Sequence, residues 1–75
     1  MEFDNDLDAM GLLCPLPVLK ARQRLAGLKA GQVLRMQADD PAAVIDVPHF
    51  CIESGHELIA TKSAAAHQIY FIRKK

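Results

Sequence analysis

The residues best suited to chemistry lie in one stretch, Met10-Gly11-Leu12-Leu13-Cys14-Pro15-Leu16-Pro17. It reads as the end of a strand turning into a helix, with a thiol at the junction. Pro15 suits the first helical position, because the first N–H groups of a helix have no internal partner, and Cys14 then falls at the N-cap. Pro17 lies in the same turn and removes no ladder bond. Gly11 supplies the backbone freedom of a tight turn. Helix dipoles aimed at the sulfur favour a thiolate over a thiol. The two prolines stiffen the turn and hold the sulfur in position. The plain alternative is that Cys14 packs as a small hydrophobe, as lone cysteines commonly do.

The elements that must position this stretch follow from periodicity. Residues 3–10 predict a strand, with Phe3, Asn5, Leu7 and Ala9 on one face and Asp4, Asp6 and Asp8 on the other. An acidic face suits an edge strand in water, and alternate exposed acids form a solvated face more readily than a metal site. Residues 15–28 predict a helix whose buried stripe is Val18, Ala21, Leu25 and Leu28, with Lys20, Arg22 and Arg24 outside it and Gly27 and Gly31 around its stop. A second strand covers 32–38. Asp39-Asp40-Pro41 then gives a helix start, and Pro48 predicts a kink or restart capped by Asp46, with Gly55 as the stop. Strands at 57–62 and 67–73 complete the order βαβαββ. The last strand is the most apolar and belongs in the centre of the sheet. One mixed sheet with both helices on one face is the simplest arrangement, an α+β two-layer sandwich. The 75 residues form one domain.

Composition narrows the function classes. Hydrophobic residues make up 51% and charged residues 24%, with a net charge of zero. That is a foldable composition, and it argues against avid nucleic-acid binding. A chain this short buries only about 60% of its unfolded surface and has no room for a deep pocket. No apolar run approaches the roughly 18 residues of a membrane span. No secretory leader precedes the acidic start, so the expected compartment is the cytoplasm, where thiols stay reduced. Cys14 and Cys51 do not make a disulfide framework. His49, Cys51 and His56, taken with Cys14, match no metal-ligand spacing, so no metal is expected. Cys51, beside Phe50 and Ile52, reads as helix core.

The pattern Asp8-x-x-Gly11-Leu12-x-Cys14-Pro15-x-Pro17 resembles the signature of the TusA/SirA family of small sulfur carriers. The resemblance continues through Ala38-Asp39-Asp40-Pro41-Ala42, Asp46-x-Pro48-x-Phe50-Cys51 and Gly55-His56-Glu57-Leu58, and reaches Ile72-Arg73-Lys74. It implies a two-layer sandwich similar to the C-terminal domain of a translation initiation factor, with a four-stranded sheet in the order 1-2-4-3. It implies that Cys14 accepts a persulfide sulfur from a cysteine desulfurase and passes it to a downstream thiol protein, typically toward 2-thiouridine in tRNA. Molybdenum-cofactor assembly and sulfur oxidation are the other routes it implies. Arg22 matches a basic position on the first helix that serves partner docking, and no cofactor is needed. Leu13 and Leu16 depart from the Arg and Glu common in the tRNA-thiolating members, which bears on the identity of the recipient.

A carrier of this kind needs an exposed, nucleophilic sulfur, and its Cys–S–S⁻ form would sit at a helix positive end. Lys20, Arg22 and Arg24 are the expected basic docking side, with Leu13 as a staple of the helix start and Leu16 as an apolar contact. A thiol redox sensor using Cys14 and a non-catalytic binding module remain as other classes. The module, if it bound RNA, would want a basic face with aromatics, and this chain has three Phe and one Tyr.

Overall fold

The computed structural model describes residues 1–75, in six elements: β1 (Asn5–Asp8), α1 (Leu16–Ala26), β2 (Val33–Ala38), α2 (Ala43–Ser54), β3 (Glu57–Ala64) and β4 (His67–Arg73). The strands form one sheet in the order β1-β2-β4-β3. β1 and β2 run parallel, and β4 lies antiparallel to both β2 and β3. The apolar β4 is therefore interior, and the acidic β1 is an edge, as the patterning predicts.

Alternation along the strands builds the core. Leu34, Met36 and Ala38 of β2 are fully buried and stand opposite Ile72, Tyr70 and Gln68 of β4. Onto this face pack Ala21 and Leu25 of α1 and Ala43, Val47, Phe50 and Cys51 of α2. Both helices thus cover one side of the sheet. On the other side Phe71 is nearly buried, although no helix lies over it. The Lys62 ammonium lies 5.6 Å from its ring centre, and the Arg35 guanidinium lies 5.2 Å from that of Phe3. Long cationic side chains take the place of a third layer there.

Several boundaries differ from expectation. β1 is shorter than 3–10, although Asp4 N–H to the Val33 carbonyl and Ala9 N–H to the Gln37 carbonyl, both 2.8 Å, extend its pairing with β2. α1 starts one residue late, with Pro15 rather than Cys14 at the N-cap, and stops at Gly27. α2 is a single helix through Pro48, without the predicted restart. The carbonyl that Pro48 leaves without an N–H belongs to Val44, which is exposed, so water can take over the missing bond. Asp46 consequently sits in the first turn of α2 and caps no second segment. Ile52 is 80% exposed and takes no part in the core. Gly55 ends α2 at φ +84°, and its N–H donates to the Cys51 carbonyl at 3.0 Å. β3 runs on to Ala64, so Ala65 and Ala66 alone make the hairpin turn. No helix is long and apolar enough to cross a membrane.

Core and surface positions on the helices should separate cleanly on truncation. Leu25→Ala, at a site with no exposure, should cost about 2–5 kcal/mol. Ile52→Ala should change stability by no more than about 0.5 kcal/mol. Urea unfolding monitored by circular dichroism measures both; equal costs would contradict the packing described.

Candidate functional site

Because β1 and β2 are parallel neighbours, the loops that follow them leave the sheet at the same end. One loop carries Cys14 and the other carries Asp39 and Asp40. The Asp39 carboxylate accepts the Gly11 N–H at 2.9 Å. The Asp40 carboxylate accepts the Cys14 N–H at 2.7 Å through one oxygen and the Ala42 N–H at 3.1 Å through the other. Asp40 is 7% exposed and pairs with no cation, so these backbone donors satisfy its charge. Gly11 takes φ +79°, a conformation that side chains with a Cβ rarely adopt. Asp8 accepts the Met10 N–H at 2.9 Å and so shapes the exit from β1. The Cys14–Pro15 peptide bond is cis. Pro17 is buried against the core while Pro15 stays exposed.

The sulfur itself is exposed. It stands at the rim of an open groove of about 230 Å³ between α1 and α2. Pro15, Val18 and Phe50 give the groove an apolar floor, and Arg22, Asp46, His49 and Glu53 give it charge. The Arg22 guanidinium lies 5.6 Å from the centre of the Phe50 ring. His49 Nε2 and Glu53 Oε1 are 2.9 Å apart on the outer side of α2.

The thiol is not acidified as the sequence predicts. Its pKa is raised, first by hydrogen bonding to the Asp46 carboxylate, then by partial desolvation and the charges of Asp46 and Asp40. The helix start opposes this with one free N–H, that of Val18. Pro15 and Pro17 have no N–H to present, and the Leu16 N–H is already used by the Leu13 carbonyl at 2.9 Å. The prolines that stiffen the turn also remove two of the donors that would stabilise a thiolate. Cys51 is buried, and burial pushes its thiol up to about 11, as befits a packing residue.

The docking candidates are only partly brought together. Arg22 lines the groove beside Cys14. At about 100° of rotation per residue, Lys20 and Arg24 fall on the opposite side of α1 from Arg22. Arg24 donates to Asn5 Oδ1 at 2.9 Å and to the Asp6 carbonyl at 2.8 Å, which ties α1 to β1. Leu13 is 67% exposed and is no staple; Leu12 packs against the core in its place. Leu16 is 45% exposed, as expected, and Leu13 and Met10 are likewise exposed apolar side chains on the segment that carries the thiol. His49 shares the groove with Cys14, whereas His56 is outside it and its Nδ1 accepts the Lys75 N–H at 3.2 Å; no group of three potential metal ligands assembles. The sequence reading missed Asp39 and Asp40 as the clamp on the loop, taking them only for a helix start. Their position directly after a strand parallel to β1 was the available signal.

Residues 5–74 match the family model of sulfurtransferase TusA. This chain belongs to the TusA family. It is 44% identical over its whole length to the sulfur carrier protein TusA of Pseudomonas syringae pv. syringae, covering 89% of that protein. It is 41% identical to the sulfur carrier protein TusA of Allochromatium vinosum, over 97% of this chain and 96% of that one. The crystal structure of a SirA-like protein from Desulfitobacterium hafniense superposes with a TM-score of 0.82 at 24% identity, over 93% of this chain and 96% of that chain. That likeness establishes the shared fold. Of the residues singled out with Cys14, Asp8 ends β1, Gly11 and Pro15 stand in the loop that presents the thiol, and Pro17 lies in the first turn of α1.

The Asp40 clamp makes a direct prediction. Asp40→Ala should lower stability by about 1–3 kcal/mol, because the Cys14 and Ala42 N–H groups lose their acceptor. Hydrogen exchange at the Cys14 amide should accelerate, while exchange within β4 follows the global loss only. An unchanged Cys14 amide would show that the loop is held by other means.

Proposed function

We propose that residues 1–75 act as one sulfur-carrying domain, in which Cys14 accepts the outer sulfur of a cysteine desulfurase persulfide and hands it to a downstream thiol protein. The observation that carries this reading is an exposed thiol on a loop clamped by two carboxylates, in a member of the TusA family. A protein-to-protein relay needs a sulfur that both partners can reach, held still enough for in-line attack. The relay toward tRNA 2-thiouridine, in the cytoplasm, is the first route to test. Molybdenum-cofactor assembly and sulfur oxidation are the alternatives that the apolar Leu13 and Leu16 keep open. The chemistry uses cysteine sulfur throughout and calls for no metal or cofactor. A redox sensor would want a second accessible thiol near Cys14, and Cys51 is enclosed in the core.

Incubation with a cysteine desulfurase and cysteine, followed by intact mass spectrometry, tests the reading. The wild type should gain one sulfur. Cys14→Ser should gain none, and Cys51→Ser should load normally. Extra sulfur mapped to Cys51 would refute the assignment.

Docking falls to the surface around the thiol: Leu13, Leu16 and the groove-facing Arg22. Lys20 and Arg24, on the far side of α1, serve as the comparison. Arg22→Glu should slow sulfur transfer and flatten its dependence on salt, since charges at the rim of an interface act mainly on association rate. Arg24→Glu should instead loosen β1 through its lost bonds to Asn5 and Asp6. Stopped transfer assays across a salt series and urea melts distinguish the two; equal transfer defects would mean that both sides of α1 meet the partner.

A further inference from the structure

Helix α2 turns two large apolar side chains to water that the fold does not use. Ile45 is 74% exposed and Ile52 is 80% exposed. They stand seven residues apart, so they share one face of the helix, about 10 Å apart along its axis. His49 lies between them on the same face. Outward positions on a surface helix ordinarily carry polar or charged residues, and isoleucine is only a middling helix former. A single exposed apolar residue means little, but a row of them beside a reactive group marks a surface to be covered.

The place of the row gives it meaning. β1 and β2 run parallel, and each is followed by a helix packed on the same face of the sheet. α1 and α2 therefore run side by side in one direction, away from the end that carries the Cys14 loop. The groove between them has Cys14 at its head, and its α2 wall includes His49 and Glu53. Ile45 and Ile52 crest that wall. On the α1 wall the exposed Leu19 stands one turn before Arg22. The charges of the groove are split between the walls, with Arg22 on α1 and Asp46 and Glu53 on α2. Neither Arg22 nor Asp46 enters an ion pair within the chain. At about 230 Å³ the groove is smaller than the roughly 300 Å³ at which small-molecule pockets begin, and it is open rather than enclosing. Its shape fits the side chains of another protein.

We propose that this groove, with its Ile45–Ile52 crest, seats the sulfur donor: a segment of the cysteine desulfurase that is apolar along its middle, with an acid toward Arg22 and a base toward Asp46 and Glu53. The proposal rests on the sulfur-carrier reading and says how that partner is gripped. A donor meets Cys14 as a bare thiol and has no transferred sulfur to hold, so its affinity must come from the surface alongside. The apolar crest supplies that affinity by leaving water. The split charges fix which way the segment lies, and so bring its persulfide to the head of the groove.

The test measures loading and docking side by side. Sulfur transfer from a cysteine desulfurase is followed by intact mass at varied carrier concentration, and binding to the same desulfurase, immobilised, is followed by interferometry. The variant is Ile45→Ser combined with Ile52→Ser, because serine and isoleucine have similar helix preference at exposed positions. Its KM as carrier and its Kd should both rise about tenfold, with kcat unchanged. Val44→Ser, exposed on the far side of α2 from Glu53, should load and bind as the wild type does. If the double variant melts early, the two single variants take its place. Wild-type binding and loading by a variant that melts normally overturns the proposal, and so does an equal defect in Val44→Ser. A wild type that sediments as a dimer, with the double variant a monomer, assigns the crest to a second copy and overturns it too. A variant that loads normally but hands sulfur on poorly assigns the crest to the recipient, with the same consequence. A wild type that binds the desulfurase but takes no sulfur removes the carrier reading and leaves the docking result standing, and one that neither binds nor loads overturns both.

Discussion

The structure turns on the two hydrogen bonds that the Asp40 carboxylate accepts, one from the Cys14 N–H and one from the Ala42 N–H. A nearly buried carboxylate without a cation is tolerable only when N–H donors solvate it. Those donors come from two loops distant in sequence, so the charge can be satisfied only if both loops are in place. The same bonds that settle an electrostatic problem fix where the sulfur stands. They also fix where α2 begins, and with it the position of Asp46 in the groove. The fold and the site therefore share one constraint.

Charge governs the sulfur in an unexpected sense. A helix N-terminus ordinarily attracts anions because its first N–H groups are free. Here two of the relevant residues are prolines and the N–H of the residue between them is taken. What remains near the sulfur is the Val18 N–H and the mixed charge of the groove, Arg22 from α1 with Asp46, His49 and Glu53 from α2.

Much of this was legible in the sequence, and the limits were physical. Period-two alternation in β2 and the apolar run of β4 revealed the sheet and its interior strand, because burial on one or both faces writes itself into residue type. Cys14 was legible for a local reason, its setting among Gly11, Pro15 and Pro17. The Asp40 clamp joins residues that only the parallel pairing of β1 and β2 brings together, so no local pattern records it. The single course of α2 through Pro48 depends on which side of the helix the orphaned carbonyl faces, and periodicity at that point was ambiguous. Leu12 and Leu13 could not be told apart, because two adjacent leucines in a turn look alike until the turn is built.

The position of β4 has a bearing on how the molecule comes into being. β4 is the last strand in the chain, yet it lies between β2 and β3. β3 and β4 are joined by a two-residue turn and can pair locally, whereas β2 meets β4 only across the whole of α2 and β3. Non-local pairings of this kind form late, because the loop between them must close first. Until β4 arrives, β2 has a partner on one edge only, and the loop that bears Asp40 has no firm base. The clamp on Cys14 is thus completed by a strand synthesised well after the cysteine itself. A chain still emerging from the ribosome carries the cysteine before the geometry around it exists, so folding itself sets the moment at which the thiol is held in place.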